Sequence, residues 1–443
     1  MSVNQELKPI TTERRGNLYI GGCDLVELAN KYGTPLYVID EVSLREICRE
    51  YIDAFKNYPN IKMMYASKAL STLATSKIIY DEGFGFDVVS AGEIYTLYKA
   101  DVDMSKVLFN GNNKTRKELE LAIDLKVARF SVDNFYEAEL LNTIALEKGV
   151  NVDILLRITP GIECHTHEYI QTGQIDSKFG FDLSQLDEII NLVKNECKML
   201  NLRGIHAHIG SQIFEKQSFV IAVEKCMDFA AKMQAELGFT PTKLNLGGGY
   251  GIWYTDEDRK ISADEYAEYV EALLVAVKEK AKEKSLPLPF VLIEPGRSMV
   301  GEAGVTLYTV GAIKDIVGVK KYIAVDGGMF DNPRYALYQS KYSAVLANRA
   351  AEENTEIVTV AGKCCESGDL IAVNVPLPQA KTGDILAVLS TGAYNYSMAM
   401  NYNRNKIPPC VLVNKGKGEY IVKPQTYEDI ARNDVLPTRL KSE

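Results

Sequence analysis

The sequence predicts an α/β protein in which a closed (β/α)8 barrel of the TIM type is followed by an all-β domain. Eight short apolar runs recur between residues 37 and 297, and each except the last is followed by a helical pattern. Runs that are apolar throughout are typical of strands buried on both faces, and their alternation with helices indicates a parallel sheet. After Arg297 the helical patterns nearly vanish and short β-rich pieces replace them.

The eight predicted barrel strands are Ile61–Tyr65, Gly85–Val89, Val107–Phe109, Val127–Ser131, Val152–Ile158, Leu202–Ile209, Lys243–Leu246 and Phe290–Ile293. Eight such units match a barrel, which takes about 250 residues. A doubly wound open sheet is the alternative. That fold more often carries a glycine fingerprint after its first strand, and this sequence has none there.

Three regions are therefore expected. Residues 1–36 form an N-terminal segment that packs on the β domain, residues 37–297 form the barrel, and residues 298–443 form the C-terminal β domain. The predicted strands of the last region are Val305–Val310, Lys321–Val325, Glu356–Val360, Ile385–Leu389 and the hairpin Cys410–Val422.

Composition excludes several classes of protein. The net charge is −9 and the pI is about 5.3, without a dense basic block, so we expect no nucleic-acid partner. No apolar run approaches the length of about 18 residues that a membrane-spanning helix needs, and the start lacks the pattern of a secretory signal. Eight cysteines without a CxxC pair favour reduced thiols and a cytoplasmic location.

Residues that could bind a ligand or take part in catalysis lie at the carboxyl ends of the predicted strands, where barrel enzymes have their active sites. Lys68 follows the first strand, and Asp87 lies at the end of the second. His208 lies near the end of the sixth strand and Ser211 just after it. The triplet Gly247, Gly248 and Gly249 follows the seventh strand, and Glu294, Gly296 and Arg297 follow the eighth. A purely structural barrel would need no such set at one rim.

The triplet suggests a phosphate site, because bare glycine amides allow close approach of an anion and barrels often bind phosphate after strands seven and eight. A flexible turn is the alternative. A phosphate-bearing ligand that also needs an amine and an acid is pyridoxal 5'-phosphate. Lys68 can supply the amine, and Glu294 can meet the pyridine nitrogen. Otherwise Lys68 is a solvated surface lysine, and Glu294 is a cap or an ion-pair partner of Arg297.

Histidines allow a rival hypothesis. His206 and His208 are two residues apart on a predicted strand and so point to one face, and His165 and His167 have similar spacing. A metal-dependent barrel hydrolase is therefore a second candidate. Such enzymes usually need further histidine or aspartate ligands after later strands, and no histidine follows His208. We expect no metal.

The sequence resembles the basic amino-acid decarboxylases of the alanine-racemase-like barrel class, which depend on pyridoxal phosphate. The resemblance extends from about residue 17 to 435, with the family's motifs in order. These motifs are Tyr65-Ala-Ser-Lys-Ala69, Gly83-Phe-Gly-Phe-Asp-Val-Val-Ser-Ala-Gly-Glu93, His208-Ile-Gly-Ser-Gln212, Gly247-Gly-Gly249, Glu294-Pro-Gly-Arg297, Cys364-Cys-Glu-Ser-Gly-Asp369 and Gly392-Ala-Tyr394.

This resemblance implies that Lys68 binds the cofactor aldehyde covalently, that His208 stacks on the ring and that Glu294 meets the pyridine nitrogen. Cys365 is the implied catalytic thiol, although Cys364 beside it leaves the choice between the two open. The other implied cofactor-binding residues are Asp87, Ser211, Gly247, Gly248, Gly249, Gly296, Arg297 and Tyr394. The implied substrate-binding residues are Arg297, Arg334, Tyr338, Glu366 and Tyr394.

In the family, residues matching Cys365 and Glu366 cross a dimer interface, so a homodimer with shared active sites is expected. The resemblance is strongest to the enzymes that convert meso-2,6-diaminopimelate to L-lysine and CO2. Arginines suit a distal carboxylate and would repel the cationic tail of ornithine. Decarboxylases of ornithine, arginine or carboxynorspermidine remain alternatives, as does a non-catalytic cofactor-binding barrel. A racemase would have arginine, not Glu294, at the ring nitrogen.

Overall fold

The computed structural model describes residues 11–161, 177–259, 261 and 263–441. The strands are β1 Thr11–Arg14, β2 Asn17–Ile20, β3 Cys23–Asp24, β4 Leu36–Asp40, β5 Ile61–Ala66, β6 Gly85–Val88, β7 Val107–Phe109, β8 Arg129–Val132, β9 Val152–Ile158, β10 Leu200–Ala207, β11 Lys243–Asn245, β12 Phe290–Ile293, β13 Gly304–Ile316, β14 Lys320–Val325, β15 Ala344–Leu346, β16 Glu356–Ala361, β17 Leu370–Leu377, β18 Ile385–Val388, β19 Cys410–Asn414 and β20 Lys417–Val422. The helices are α1 Leu25–Tyr32, α2 Glu41–Phe55, α3 Leu73–Asp81, α4 Ala91–Lys99, α5 Arg116–Asp124, α6 Phe135–Lys148, α7 Leu186–Asn195, α8 Lys216–Leu237, α9 Ala263–Glu283, α10 Arg297–Val300, α11 Arg334–Tyr338 and α12 Tyr427–Ala431.

Strands β5 to β12 form a closed barrel in which every neighbouring pair is parallel. The barrel closes where β12 pairs with β5, with Val291 opposite Ile61. Met64, Leu108, Leu155 and Leu292, each from a different strand, pack together in its buried core. The predicted barrel fold is confirmed.

The strand-to-helix turns end at residues whose side chains cap the next helix. Thr72 and Thr115 form reciprocal capping boxes at α3 and α5, and the side chains of Ser90 and Asn134 accept from backbone amides in α4 and α6. Such caps satisfy backbone amides that lack a partner within the helix. The sequence therefore sets where several barrel helices begin.

Two predicted strands differ from the structure by about two residues. The fourth strand is Arg129–Val132 rather than Val127–Ser131, and the sixth is Leu200–Ala207 rather than Leu202–Ile209. The sixth also carries an irregularity between Leu202 and Gly204 where it pairs with β9. Strand ends depend on which neighbour they pair with, and an apolar run alone does not specify this.

The chain divides into two compact units, one running to residue 43 and resuming at 301, the other spanning 44–300. In the first unit the strands follow the order β17-β16-β14-β13-β4-β19-β20, with β18 paired to both β13 and β15. Strand β4 pairs antiparallel with β13 and parallel with β19. This unit is mostly β, as predicted for the C-terminal region. In the described parts of the chain, no helix is both long and apolar enough to cross a membrane.

Candidate active site

Lys68 stands at the carboxyl end of the first barrel strand. Strand β5 ends at Ala66 and continues into a single 3-10 turn, Ser67–Ala69, whose outer residues are buried while Lys68 is exposed. The positive charge of Lys68 lowers the pKa of Asp87 and of His208, although burial is the largest influence on both groups. The fold thus brings Lys68 within electrostatic reach of the ends of β6 and β10.

A buried polar cluster surrounds Glu294 at the end of β12. Its Oε1 accepts hydrogen bonds from Asn245 Nδ2 at 2.6 Å and from Asn110 Nδ2 at 3.1 Å. The same Asn110 amide donates to Asp87 Oδ1 at 2.5 Å. Two carboxylates from β6 and from the end of β12 are thereby linked through one amide.

Burial and neighbouring groups shift the pKa values of these two carboxyls in opposite directions. Burial and the neighbouring Glu294 raise the pKa of Asp87 well above its usual range. Burial alone would also raise the pKa of Glu294, but His206 and the hydrogen bond from Asn245 outweigh it and lower that pKa below its ordinary value. Adjacent buried carboxyls cannot both ionise cheaply. A single negative charge on the pair is therefore favoured on Glu294 over Asp87.

His208 lies just beyond β10, and its Nδ1 accepts a hydrogen bond from the amide of Gly248 at 3.2 Å. Burial, with the positive charges of Lys68 and Arg157, lowers the pKa of His208 well below its ordinary value. The imidazole is therefore neutral near pH 7. A neutral ring can lie against an aromatic cofactor without adding charge to the site.

The glycine triplet has no room for side chains. A Cβ on Gly247 would lie 2.7 Å from His208 Nδ1, and one on Gly248 would lie 2.0 Å from the carbonyl oxygen of Glu294. Gly247 and Gly249 also have φ values of 64° and 110°, in the left-handed region that favours glycine. Bare backbone here fits a phosphate cradle, and an ionised Glu294 fits a protonated pyridine nitrogen. The barrel residues therefore fit pyridoxal phosphate.

Ser211 and Arg297 form a second polar group in the barrel unit. The Ser211 hydroxyl accepts from Arg297 Nη2 at 3.0 Å and from Nε at 3.3 Å, while Arg297 Nη1 donates to the Tyr254 hydroxyl at 2.5 Å. Gly296, beside Arg297, packs against Ala66: a Cβ built on it would lie 3.0 Å from the Ala66 Cβ. A guanidinium held beside a serine hydroxyl suits an anion such as phosphate.

In the other unit, three predicted substrate-binding residues lie together. The guanidinium carbon of Arg334, on α11, is 5.6 Å from the Tyr394 ring centre and 5.9 Å from that of Tyr338. Arg334 Nη2 also donates to Ser340 Oγ at 3.1 Å. Tyr394 has a φ of 63°, which is unusual for a residue with a side chain.

The two adjacent cysteines have different surroundings. Cys364 is buried, its amide donates to Asp369 Oδ2 at 2.6 Å, and burial followed by the Asp369 charge raises its pKa to about 11. Cys365 is exposed, and its amide donates to Asn403 Oδ1 at 2.8 Å. Glu366 is exposed beside it. Of the two thiols, Cys365 is the one accessible to a reactant.

His165 and His167 lie outside the described residues, so only the other histidine pair can be located. His206 Nδ1 is 2.8 Å from Ser131 Oγ, and its Nε2 is 3.4 Å from Glu294 Oε2. Among the residues described, no three metal-ligating side chains come together.

Sequence reasoning gave no role to Asn110, Asn245, Ser131 or Tyr254. A weak signal existed for three of them, because Asn110 follows the third predicted strand, Ser131 ends the fourth and Asn245 precedes the glycine triplet. All three are therefore at the carboxyl ends of predicted strands. Tyr254 carried no comparable signal.

Residues 44–301 match the family model for the pyridoxal-binding domain of pyridoxal-dependent decarboxylases. The chain is 48% identical over 425 residues to a diaminopimelate decarboxylase of Bacillus subtilis, covering 95% of this chain and 96% of that protein. It is 46% identical over 453 residues to one from Synechocystis, covering 100% and 95%. A crystal structure of the M. jannaschii enzyme in complex with L-lysine matches with a TM-score of 0.89 and 34% identity, covering 98% of this chain and 99% of that one.

Proposed function

This chain belongs to the diaminopimelate decarboxylases among the pyridoxal-dependent decarboxylases, and we propose that it converts meso-2,6-diaminopimelate to L-lysine and CO2. The proposal depends mainly on Glu294, which is buried and accepts hydrogen bonds from Asn245 and Asn110 at the barrel end that also presents Lys68. An amine for the aldehyde and an acid for the ring nitrogen are what this cofactor requires of a protein.

When bound, pyridoxal phosphate would supply an acceptor for the electron pair that the departing carboxylate leaves on the substrate carbon. Glu294 would hold a proton at the ring nitrogen, which favours that acceptance. Lys68 would supply the amine that holds the cofactor. His208 would keep the ring in place, and Ser211, Arg297 and the glycine triplet would hold the phosphate.

A proton must then replace CO2 at the substrate carbon. We propose that the Cys365 thiol delivers it, because Cys365 is exposed whereas Cys364 is buried with a raised pKa. A thiol that holds its proton too tightly is a poor acid at neutral pH. In the net reaction one carbon–carbon bond breaks, CO2 leaves, and one carbon–hydrogen bond forms.

Arg334, with Tyr338 and Tyr394 beside it, is proposed to bind the distal carboxylate of the substrate, and Glu366 its distal ammonium. A guanidinium can bind a carboxylate through two hydrogen bonds. The same guanidinium would repel the positively charged side-chain ammonium of ornithine. This difference favours diaminopimelate over the other basic substrates.

A homodimer in which Cys365 and Glu366 serve the partner's site is also proposed, with a small-molecule substrate and no nucleic-acid partner. A cytoplasmic location is proposed because the seven cysteines in the described parts of the chain are all free thiols. Sedimentation of the purified protein tests the dimer.

The deciding experiment measures CO2 release by the purified holoenzyme from meso-diaminopimelate, ornithine, arginine and carboxynorspermidine. We expect turnover of diaminopimelate with L-lysine as the product, and slow or no turnover of the others. Faster release from ornithine would overturn the proposed substrate. A protein that takes up no pyridoxal phosphate would overturn the reaction class.

A further inference from the structure

His206 is a buried side chain that the reaction described above does not use. It is 1% exposed, on β10, between Ser131 and Glu294, which come from β8 and from the end of β12. Its Nδ1 is 2.8 Å from Ser131 Oγ, whereas its Nε2 forms no hydrogen bond with any described residue and lies 3.4 Å from Glu294 Oε2, an ion-pair distance. A nearly inaccessible imidazole thus lies behind the carboxylate that should meet the cofactor nitrogen.

The two neighbours determine how the imidazole ring is oriented. Nε2 faces the carboxylate oxygen Glu294 Oε2, which can accept a hydrogen bond. The Ser131 hydroxyl can either donate to Nδ1 or accept from it, so it holds the ring with Nε2 towards Glu294 in both cases.

Ser131 itself is firmly placed. Its carbonyl oxygen accepts from Lys114 Nζ at 2.8 Å, and Lys114 forms a buried ion pair with Glu137 at 2.7 Å. The side chains of Lys114 and Glu137 are 2% and 1% exposed. A hydroxyl on such a fixed support can orient an imidazole ring.

The two oxygens of Glu294 have different tasks. Oε1 already accepts from two amides, Asn245 and Asn110, which is close to the capacity of one carboxylate oxygen. Oε2 faces His206 and is the oxygen with capacity for a further donor. Rotation of the carboxylate would exchange these roles, and the His206 contact at 3.4 Å opposes that rotation.

We propose that His206, oriented by Ser131, is a positioning residue that keeps Glu294 Oε2 directed at the ring nitrogen of bound pyridoxal phosphate. The inference rests on the proposed function, because it assumes that this cofactor occupies the barrel. Under this proposal His206 and Ser131 support the acid that meets the cofactor rather than a metal ion.

Three variants test the inference, each compared with the wild type in the absence of substrate. His206→Leu removes the ring nitrogen that faces Glu294, His206→Gln supplies an amide group that could donate in its place, and Ser131→Ala removes only the hydroxyl. Two readouts are used. One is the affinity of the apoprotein for pyridoxal phosphate, followed by visible absorbance. The other is the NMR shift of an isotope-labelled pyridine nitrogen in the holoenzyme.

For His206→Leu we expect cofactor affinity to fall on the order of tenfold, which is about 1.4 kcal/mol, and the nitrogen signal to move towards that of an unprotonated ring. His206→Gln should recover most of both effects. Ser131→Ala should shift both readouts in the same direction but less. Ser76→Ala, which removes another buried barrel hydroxyl, should leave both unchanged.

The inference is overturned if His206→Leu keeps the wild-type nitrogen shift and cofactor affinity. If that variant does not fold, an unchanged nitrogen shift in Ser131→Ala has the same meaning. Failure of the proposed function is a separate result, because then the wild-type protein itself would not take up the cofactor.

Discussion

Replacing Gly248 with alanine tests whether the barrel end is built as tightly as its geometry indicates. A Cβ at this position would lie 2.0 Å from the carbonyl oxygen of Glu294 and 2.8 Å from its carbonyl carbon. Ordinary contacts at a Cβ begin at 3.4 Å, so the two backbone segments must separate by more than an ångström. The obstacle is backbone, which cannot rotate away as a flexible side chain can.

Two consequences should be measurable. Overpacking of this kind typically costs about 1–3 kcal/mol of stability, which denaturant unfolding of the apoprotein would report. Because the displaced segment carries Glu294, cofactor affinity should fall at least about tenfold, equal to about 1.4 kcal/mol. The assay is titration of the apoprotein with pyridoxal phosphate, followed by visible absorbance. Turnover at saturating cofactor should also fall, because a misplacement of about 1 Å can cost about a hundredfold in rate.

Gly92→Ala is the matched control. It makes the same chemical change in helix α4, where the nearest atom to the new Cβ is Ser90 Oγ at an ordinary 3.7 Å. We expect unchanged cofactor affinity and a stability gain of up to about 1 kcal/mol, since alanine favours a helix over glycine. Wild-type cofactor affinity in Gly248→Ala would refute the reasoning, since it would mean that the segment moves without cost to the site.

Other predictions concern single groups. Lys68→Ala should abolish the visible absorbance of covalently bound cofactor, and a retained band would exclude Lys68 as the attachment point. Arg334→Ala should raise the KM for diaminopimelate by the equivalent of about 2 kcal/mol or more, whereas an equal loss of cofactor affinity would contradict a substrate role. Cys365→Ala should slow turnover about a hundredfold or more while Cys364→Ala stays near wild type; the reverse result would exchange their roles. Burial raises the pKa of Asp331 to about 8, so the folded state holds a proton that the unfolded chain, with a pKa of about 3.9, has lost. Stability should therefore decline as the pH rises from about 4 to about 8, and Asp331→Asn should flatten that decline in urea unfolding; an identical slope in both proteins would disprove it.

Much of the fold followed from local sequence. The strands Val107–Phe109, Val152–Ile158 and Phe290–Ile293 have the predicted bounds in the structure. Their apolar runs are bordered by polar residues or turn residues, which leaves little ambiguity about the ends. Where polar and apolar residues alternate, as from Val127 to Val132, the prediction missed the start of the strand by two residues and its end by one.

For the candidate site, position in the sequence indicated which residues belong to the site but not which residues they form hydrogen bonds with. Lys68 and Glu294 were singled out because they follow predicted strands. The Asn110 amide links Asp87 to Glu294. Its hydrogen bond to Glu294 joins two residues that are 184 positions apart in the sequence. No periodicity or motif indicates such a bond, since it exists only once the barrel has closed.

By itself the sequence determined the alternation of strands and helices, the helix caps and the residue types at the strand ends. These depend on short stretches of chain, where side-chain chemistry and backbone geometry act within a few residues. Only the tertiary structure decided that β4 joins β13 and β19, and that the pKa values of Glu294 and Asp87 shift in opposite directions. Both depend on burial and on partners from distant parts of the chain. A carboxyl is desolvated, and a strand finds its neighbours, only after the fold has brought those distant residues together.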